Sequence, residues 1–467
     1  MAANGARLVW LLLATVLAVR LFTMAAYPVM DTTEARYAEI ARHMLDSGDW
    51  LMPQIEQGVP FWGKPPLFAW LTAASFKLFG LSEFAARLPH FLLGLATLWL
   101  VALAGRRELT PGKGPLPALI LASTPLFFVA SGAVMTESGL LLATTLGMLG
   151  FWFCTQRNEP AWGWIFFAGL GLGMLAKGPV APVLTLLPLF MWLLITRRWR
   201  SLRRLPWLSG SLLALVVCLP WYLLAERHSP GFLAYFLVGE HLLRFIQPGW
   251  MGDLYGNAHR EPPGMIWLLW FQATAAWGLL FVFALARQAR RARRKESGPP
   301  VARDPWRSYL LCWVIAPLLF FTFSGNILWT YVITGLPALA LLLSGNGQSR
   351  PWVLLSFSLL VPLSSLLYLA LSGPVGIRFT SERELVRAYH EREPIGDRRL
   401  YYLNHLPESA SFYTAGQARI LTGATRDLPE AGIWLGVHKT RGDPSAWGCR
   451  LVVQPRTGLF DLYLCHE

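Results

Sequence analysis

The chain has 467 residues, 54% of them hydrophobic, with 22 tryptophans and a mean hydropathy of +0.42. That balance excludes an ordinary soluble domain, and apolar runs that are continuous rather than alternating exclude a span built from strands. The net charge of +14 has no aromatic platform or binding motif beside it, which excludes a nucleic-acid footprint.

In chain order, apolar runs occur at 8–29, 84–104, 115–132, 138–156, 161–176, 179–196, 208–225, 264–286, 309–324, 327–345 and 352–372. A spanning helix takes about 20 such residues. The expected fold class is therefore membrane all-α: a polytopic bundle of about 11 spans over residues 1–372. No small-residue cleavage site follows the first run, so it reads as a retained anchor. Arg7, Arg106, Arg107, Lys113, Arg157, the cluster 197–204, the basic run 287–307 and Arg350 fall in alternate breaks. The positive-inside rule makes those breaks and the N-terminus cytoplasmic, with anionic lipid headgroups as natural neighbours. The other breaks face outward and carry Asp31, Glu34, Glu39, Glu137, Glu226, Glu240 and Glu261.

Two outward loops are long. Loop 30–83 holds helix-like stretches at 34–45 and 66–79, suited to amphipathic helices in the interface. Loop 226–263 is rich in His, Arg, Pro and Trp. The cytoplasmic run 288–308 reads as a solvated linker. Gly169, Gly171 and Gly173 lie inside an apolar run with no preceding strand, so they read as close helix packing rather than a nucleotide loop.

Beyond the last span, residues 373–467 read as a small extracytoplasmic α/β domain, with a helix at 382–391 and strands at 450–453 and 459–464. In an oxidising space Cys449 and Cys465 either pair or remain two thiols. Cys154, Cys218 and Cys312 fall in apolar runs and read as packing residues.

Several ordered motifs carry a resemblance. They are Glu34-Ala-Arg36-Tyr37-Ala-Glu-Ile; Ser47-Gly-Asp-Trp; Lys64-Pro-Pro-Leu; Ala176-Lys177-Gly-Pro; Leu219-Pro-Trp; Tyr235-Phe-Leu-Val-Gly-Glu240-His241-Leu-Leu-Arg244-Phe; and His259-Arg260 with Pro262-Pro263. In that order, over roughly residues 8–345, the chain resembles the lipid-linked glycosyltransferases of the GT-C superfamily. The aminoarabinose transferases that modify lipid A, and their protein O-mannosyltransferase relatives, are the nearest pattern. This chain departs from it at Thr33 (an Asp slot), Gly63 (a Glu slot), Thr136-Glu137 (an Asp slot) and Gly325-Asn326 (a lysine slot). Fewer acidic groups fit a sugar without an amine.

The resemblance implies an enzyme of the cytoplasmic (inner) membrane that passes a sugar from a polyprenyl phosphate to an envelope acceptor by direct, inverting displacement. Lipid A or a related glycolipid is the first acceptor; a protein hydroxyl or surface polysaccharide is the alternative. Such transfer needs a base for the acceptor hydroxyl and cations for the leaving phosphate. Asp31 and Glu34, three apart, are the candidates for base or acceptor-orienting group; equally they are helix-start residues. Arg36, Tyr37, Lys64, Glu137, Lys177, Glu240, His241, Arg244, His259 and Arg260 are the candidate substrate contacts, with the arginines and lysines matched to phosphate. Lys177, between two apolar runs, is costly to place without a function. The lone histidines read as hydrogen-bonding groups, so no cofactor is required by this reading, although a divalent metal remains possible. A transporter or flippase of the lipid-linked sugar is the alternative of another class; it would place ionisable groups near mid-membrane on broken helices.

Overall fold

The computed structural model describes residues 3–256, 259–293, 304–345, 351–371, 379–393, 399–422, 432–440, 444–456 and 458–465. The first helix, α1 (Ala3–Ala26), leads into α2 (Thr33–Ser47), which stops where Gly48 turns left-handed at φ 70°. A short hairpin of β1 (Gln54–Glu56) and β2 (Val59–Pro60) precedes α3 (Leu67–Phe79). Pro65 and Pro66 lead into α3, Pro66 as its N-cap, where a missing amide hydrogen costs nothing. Ser82 caps α4 (Glu83–Glu108) by accepting from the Ala85 amide.

The apolar run 115–132 is not one helix. It divides into α5 (Leu116–Ala122) and α6 (Pro125–Ala130), because Pro125 cannot continue a hydrogen-bonded turn. Then follow α7 (Glu137–Gln156), α8 (Ala161–Lys177), α9 (Val180–Thr196) and α10 (Trp207–His228). The close-packing reading of the glycines holds: a Cβ on Gly169 would lie 2.7 Å from the Ala143 carbonyl of α7.

A π-helical stretch, Ala234–Leu243, runs into α11 (Arg244–Ile246). Next, α12 (Met265–Thr274) and α13 (Ala276–Arg293) meet at a bend of 111°. The run expected to be a linker from 288 is thus helical through Arg293; residues 294–303 lie outside the described residues. Finally come α14 (Pro305–Thr322), a 3₁₀ stretch Trp329–Gly335, α15 (Leu336–Gly345) and α16 (Pro351–Leu371).

Among the described residues five helices are long and apolar enough to cross a membrane, or six if the bent pair counts as one. One extended core unites α1, α4–α9 and α12–α16 and includes Trp192, Trp277, Trp313 and Tyr309, all essentially unexposed.

The C-terminal part places α17 (Arg383–Arg392) and α18 (Glu408–Tyr413) against a five-stranded sheet. Its strands are β3 (Leu400–Leu403), β4 (Arg419–Leu421), β5 (Ile433–His438), β6 (Cys449–Val453) and β7 (Phe460–Cys465). The order is β4-β3-β5-β7-β6, with β3 parallel to β4 and β5 and the other pairs antiparallel. Cys449 and Cys465 face each other across β6 and β7 and are bonded as a disulfide. Cys154, Cys218 and Cys312 are buried free thiols.

Candidate active site

The candidate residues gather where the Lys64 loop, the ends of α7 and α8 and the π-helical stretch meet. The Pro65-Pro66 pair restricts the backbone at Lys64. Its ammonium donates to Glu240 at 2.5 Å and to the Gly63 carbonyl at 2.6 Å. Arg244, one turn beyond Glu240, donates to both of its carboxylate oxygens at 2.8 and 2.9 Å and pairs with Asp253 at 3.3 Å. Burial works to raise the Glu240 pKa, but the charges of Lys64 and Arg244 outweigh it and hold the carboxyl below its ordinary value. The Nε of Arg244 is buried and has no hydrogen-bond partner among the described residues.

A second ion pair lies beside the first. Lys177 ends α8 and reaches Glu137, the first residue of α7, at 2.7 Å, both side chains being buried. The Lys177 ammonium also lies 5.4 Å above the Tyr331 ring, within cation–π reach. Gly178 makes the turn into α9 at φ 81°, and a Cβ there would strike the Phe236 ring at 2.6 Å. His241, next to Glu240 in the chain, touches the segment of the second pair: its Nε2 faces the Lys177 carbonyl at 3.2 Å and its Nδ1 the Phe236 carbonyl at 2.7 Å. Burial lowers its pKa. Tyr37, on α2, packs against Phe68 with ring centres 4.6 Å apart. Burial, then the nearby Glu137 and Glu240 carboxylates, push its phenol pKa up.

Glu34 and Asp31 stand in different surroundings. Glu34 accepts from Arg87 Nε at 2.7 Å and Nη2 at 2.8 Å, and from the amides of Met30 at 3.2 Å and Val134 at 3.3 Å. Its four carboxylate lone-pair positions are thereby taken up. Burial opposes ionisation, yet Arg87 holds its pKa below the ordinary value. The same guanidinium donates to the Met24, Tyr27 and Pro28 carbonyls, closing the end of α1. Asp31 instead accepts from the Ser409 amide at 2.8 Å and hydroxyl at 2.5 Å. Burial raises its pKa, against the lowering effect of those two bonds. Arg36 donates to the Tyr255 carbonyl at 2.5 Å and to Glu408 at 3.3 Å.

Thus Lys64, Glu137, Lys177, Glu240, His241 and Arg244 form one connected group, with Tyr37 against it. Asp31 and Arg36 reach the C-terminal sheet domain. His259 and Arg260 are exposed, in a segment that bridges to Asn326 rather than among the buried pairs. Sequence reasoning passed over Arg87, Asp253, Tyr255, Tyr331, Glu408 and Ser409. Arg87 carried a signal, an arginine inside an apolar run, where a charge needs a partner. Asp253 and Tyr255 lie in no motif. Among the described residues there is no group of three or more His, Cys, Asp or Glu side chains placed to hold a metal.

Comparison with known proteins gives this cluster its context. The family model of dolichyl-phosphate-mannose-protein mannosyltransferases matches residues 8–236. The undecaprenyl phosphate-alpha-4-amino-4-deoxy-L-arabinose arabinosyl transferase of Edwardsiella ictaluri is 31% identical over 325 residues, 68% of this chain and 55% of the relative. Its counterpart in Pseudomonas aeruginosa is 32% identical over 362 residues, 73% of this chain and 62% of the relative. The chain thus spans less than two thirds of these curated relatives. The crystal structure of ArnT from Cupriavidus metallidurans bound to undecaprenyl phosphate superposes with a TM-score of 0.73 at 20% identity, covering 99% of this chain and 98% of that one. At that identity the likeness is one of fold, and it extends through the C-terminal sheet domain that the sequence motifs do not reach. By sequence over its helical part the chain is similar to dolichyl-phosphate-mannose-protein mannosyltransferases and to aminoarabinose arabinosyl transferases, and over its whole length it shares the fold of the ArnT structure.

Proposed function

We propose that this protein is an integral membrane glycosyltransferase that moves a sugar from a polyprenyl-phosphate donor to an envelope acceptor on the outer side of the cytoplasmic membrane. Lipid A or a related glycolipid is the first acceptor. The supporting observation is the convergence of Lys64 and Arg244 on the buried Glu240, with Lys177 one ion pair away. Cations held in place before the reaction are what a leaving phosphate requires, because they need no reorganisation as charge develops. In this reading Lys64 and Arg244 take the donor phosphate, Lys177 and Glu137 orient the sugar, and His241 fixes the spacing between them. These side chains supply the positive charge, so the reading requires no metal.

Of the two carboxylates nominated as base, we assign the task to Asp31. It keeps lone pairs beyond the two engaged by Ser409, and its raised pKa makes it the stronger base. Glu34, saturated by four donors, positions the loop. Displacement at the anomeric carbon is direct: the acceptor hydroxyl gives its proton to Asp31, its oxygen bonds to the sugar, and polyprenyl phosphate leaves. The topology that goes with this function has about 11 membrane crossings, a cytoplasmic N-terminus, residues 1–372 as the catalytic part and 373–467 as an extracytoplasmic domain.

The transport alternative would draw on the broken pair α12–α13. Its break at Ala275 carries Thr274 but no ionisable side chain, and the buried Glu137–Lys177 pair sits at the ends of α7 and α8 instead. The deciding experiment is mass spectrometry of lipid A and envelope glycans from a deletion strain complemented with wild type or Asp31→Asn. A pentose- or hexose-sized mass lost on deletion and restored only by wild type supports transfer with Asp31 as base. Restoration by both variants moves the base elsewhere. No change in any glycan defeats the transferase reading.

A further inference from the structure

Helix α17 carries a feature that the transfer reaction does not use. Arg383, Arg387 and His390 recur at i, i+4 and i+7 and so share one face. With Val386, Glu391 and Tyr413 they line an open groove of ≈ 410 Å³. The opposite face, through Leu385 and Tyr389, is buried against the sheet.

The height of this groove follows from what anchors it. Arg383 donates to the Ala26 carbonyl, at the end of α1, and to Glu83, at the start of α4, both at 3.3 Å. Both helices are candidate spans. Tyr413 donates to Glu83 at 3.1 Å and accepts from the Val29 amide at 2.7 Å. Just before α17, Phe379 packs edge-on against Tyr27 and against Tyr368 of α16, a third candidate span. Aromatic rings at span ends mark the layer of lipid headgroups. The last two residues of α3, five and four positions before Glu83, leave Leu78 76% and Phe79 62% exposed, an apolar edge suited to acyl chains.

Among the described residues Arg387 is paired only with Glu391, at 2.9 Å, and their side chains are 79% and 58% exposed. A pair that exposed holds its partner weakly. A phosphate can displace the Glu391 carboxylate and engage Arg387 through two parallel hydrogen bonds. We propose that the outer face of α17 is a binding site for the phosphorylated headgroup of a bilayer lipid, separate from the Lys64–Glu240–Arg244 cluster.

The test uses the full-length protein purified in detergent, with short-chain phosphatidylglycerol or phosphatidylcholine added, and native mass spectrometry to count retained lipid. Wild type is expected to hold phosphatidylglycerol in preference to phosphatidylcholine. Arg387→Ala should weaken that binding about fivefold, the effect of one cation near a charged lipid surface, and Arg387→Ala with His390→Ala should weaken it further. Neither variant touches the spanning helices, and Arg456→Ala on the sheet domain should leave binding unchanged. Equal retention in all variants would overturn the proposal. So would displacement of the lipid by an equal concentration of inorganic phosphate, which would reassign the groove to free anions. The readout is independent of sugar transfer, so its failure and that of the catalytic reading are distinguishable.

Discussion

Glu34 meets Arg87 in a two-pronged ion pair, 2.7 and 2.8 Å across, that binds loop 30–83 to the first turns of α4. Because the same arginine closes the end of α1, losing the carboxylate leaves a buried guanidinium half unpaired. Removing one partner of a buried pair costs about 3–5 kcal/mol. Glu34→Gln is therefore expected to lower the melting temperature of the purified protein and to abolish transfer together with stability. Unchanged melting with lost transfer would make Glu34 a reacting group rather than a positioning one.

Lys64 and Arg244 are expected to act on the donor. Removing a fixed donor from a site of developing charge costs on the order of 10²–10³ in rate. Lys64→Ala should lower kcat/KM by that order, with a weakened response to polyprenyl-phosphate chain and headgroup. Arg244→Lys should be nearly as damaging, since an ammonium cannot reproduce the planar fork that spans both Glu240 oxygens. Steady-state assays with a synthetic donor decide this. A conservative variant with full activity would remove Arg244 from the site.

The Glu137–Lys177 pair gives a double-mutant test. Lys177→Met strands the Glu137 carboxylate and should destabilise the protein by about 3–5 kcal/mol. Lys177→Met combined with Glu137→Leu should recover most of the melting temperature, because a buried pair replaced by apolar groups is often neutral. Transfer should stay lost. Recovery of both would mean the pair serves folding alone.

The legibility of this site followed chemistry more than distance along the chain. Lys64, Lys177, Glu240 and Arg244 stood out through the motifs that carry the resemblance, Lys177 also because a charge between two apolar runs is costly, and they do converge. Helices α2, α3 and α17 and strands β6 and β7 were readable from periodicity, to within a few residues. His259 and Arg260 belonged to the same motif set yet lie exposed, since proximity in a motif says nothing about which way a loop faces. The contacts of Asp31 and Arg36 with Ser409 and Glu408 were illegible. They join residues more than 370 positions apart, and no local pattern encodes such a pairing.

A pH effect should originate in the C-terminal domain. Burial, with the Asp31 carboxylate adding to it, raises the Glu382 pKa to about 8 against a lowering hydrogen bond from the Leu459 amide. A carboxyl raised on folding binds more protons folded than unfolded. Stability therefore falls as pH rises from the ordinary carboxyl range to about 8, with a slope of at most about 1.4 kcal/mol for each pH step of one. Glu382→Gln is expected to flatten that slope and to melt higher than wild type at pH 8.5. Parallel melting curves across pH 5–9 for the two proteins would place the titration elsewhere.

The pins between Asp31 and Ser409 and between Arg36 and Glu408 bear on how such proteins diversify. Within six residues, the stretch from Asp31 to Arg36 serves the helical bundle through Glu34 and the sheet domain through its two ends. The terminal domain is therefore not an interchangeable module. A graft from a relative would succeed only if the matching first loop travelled with it, so the segments 31–36 and 408–409 are tied to change in step.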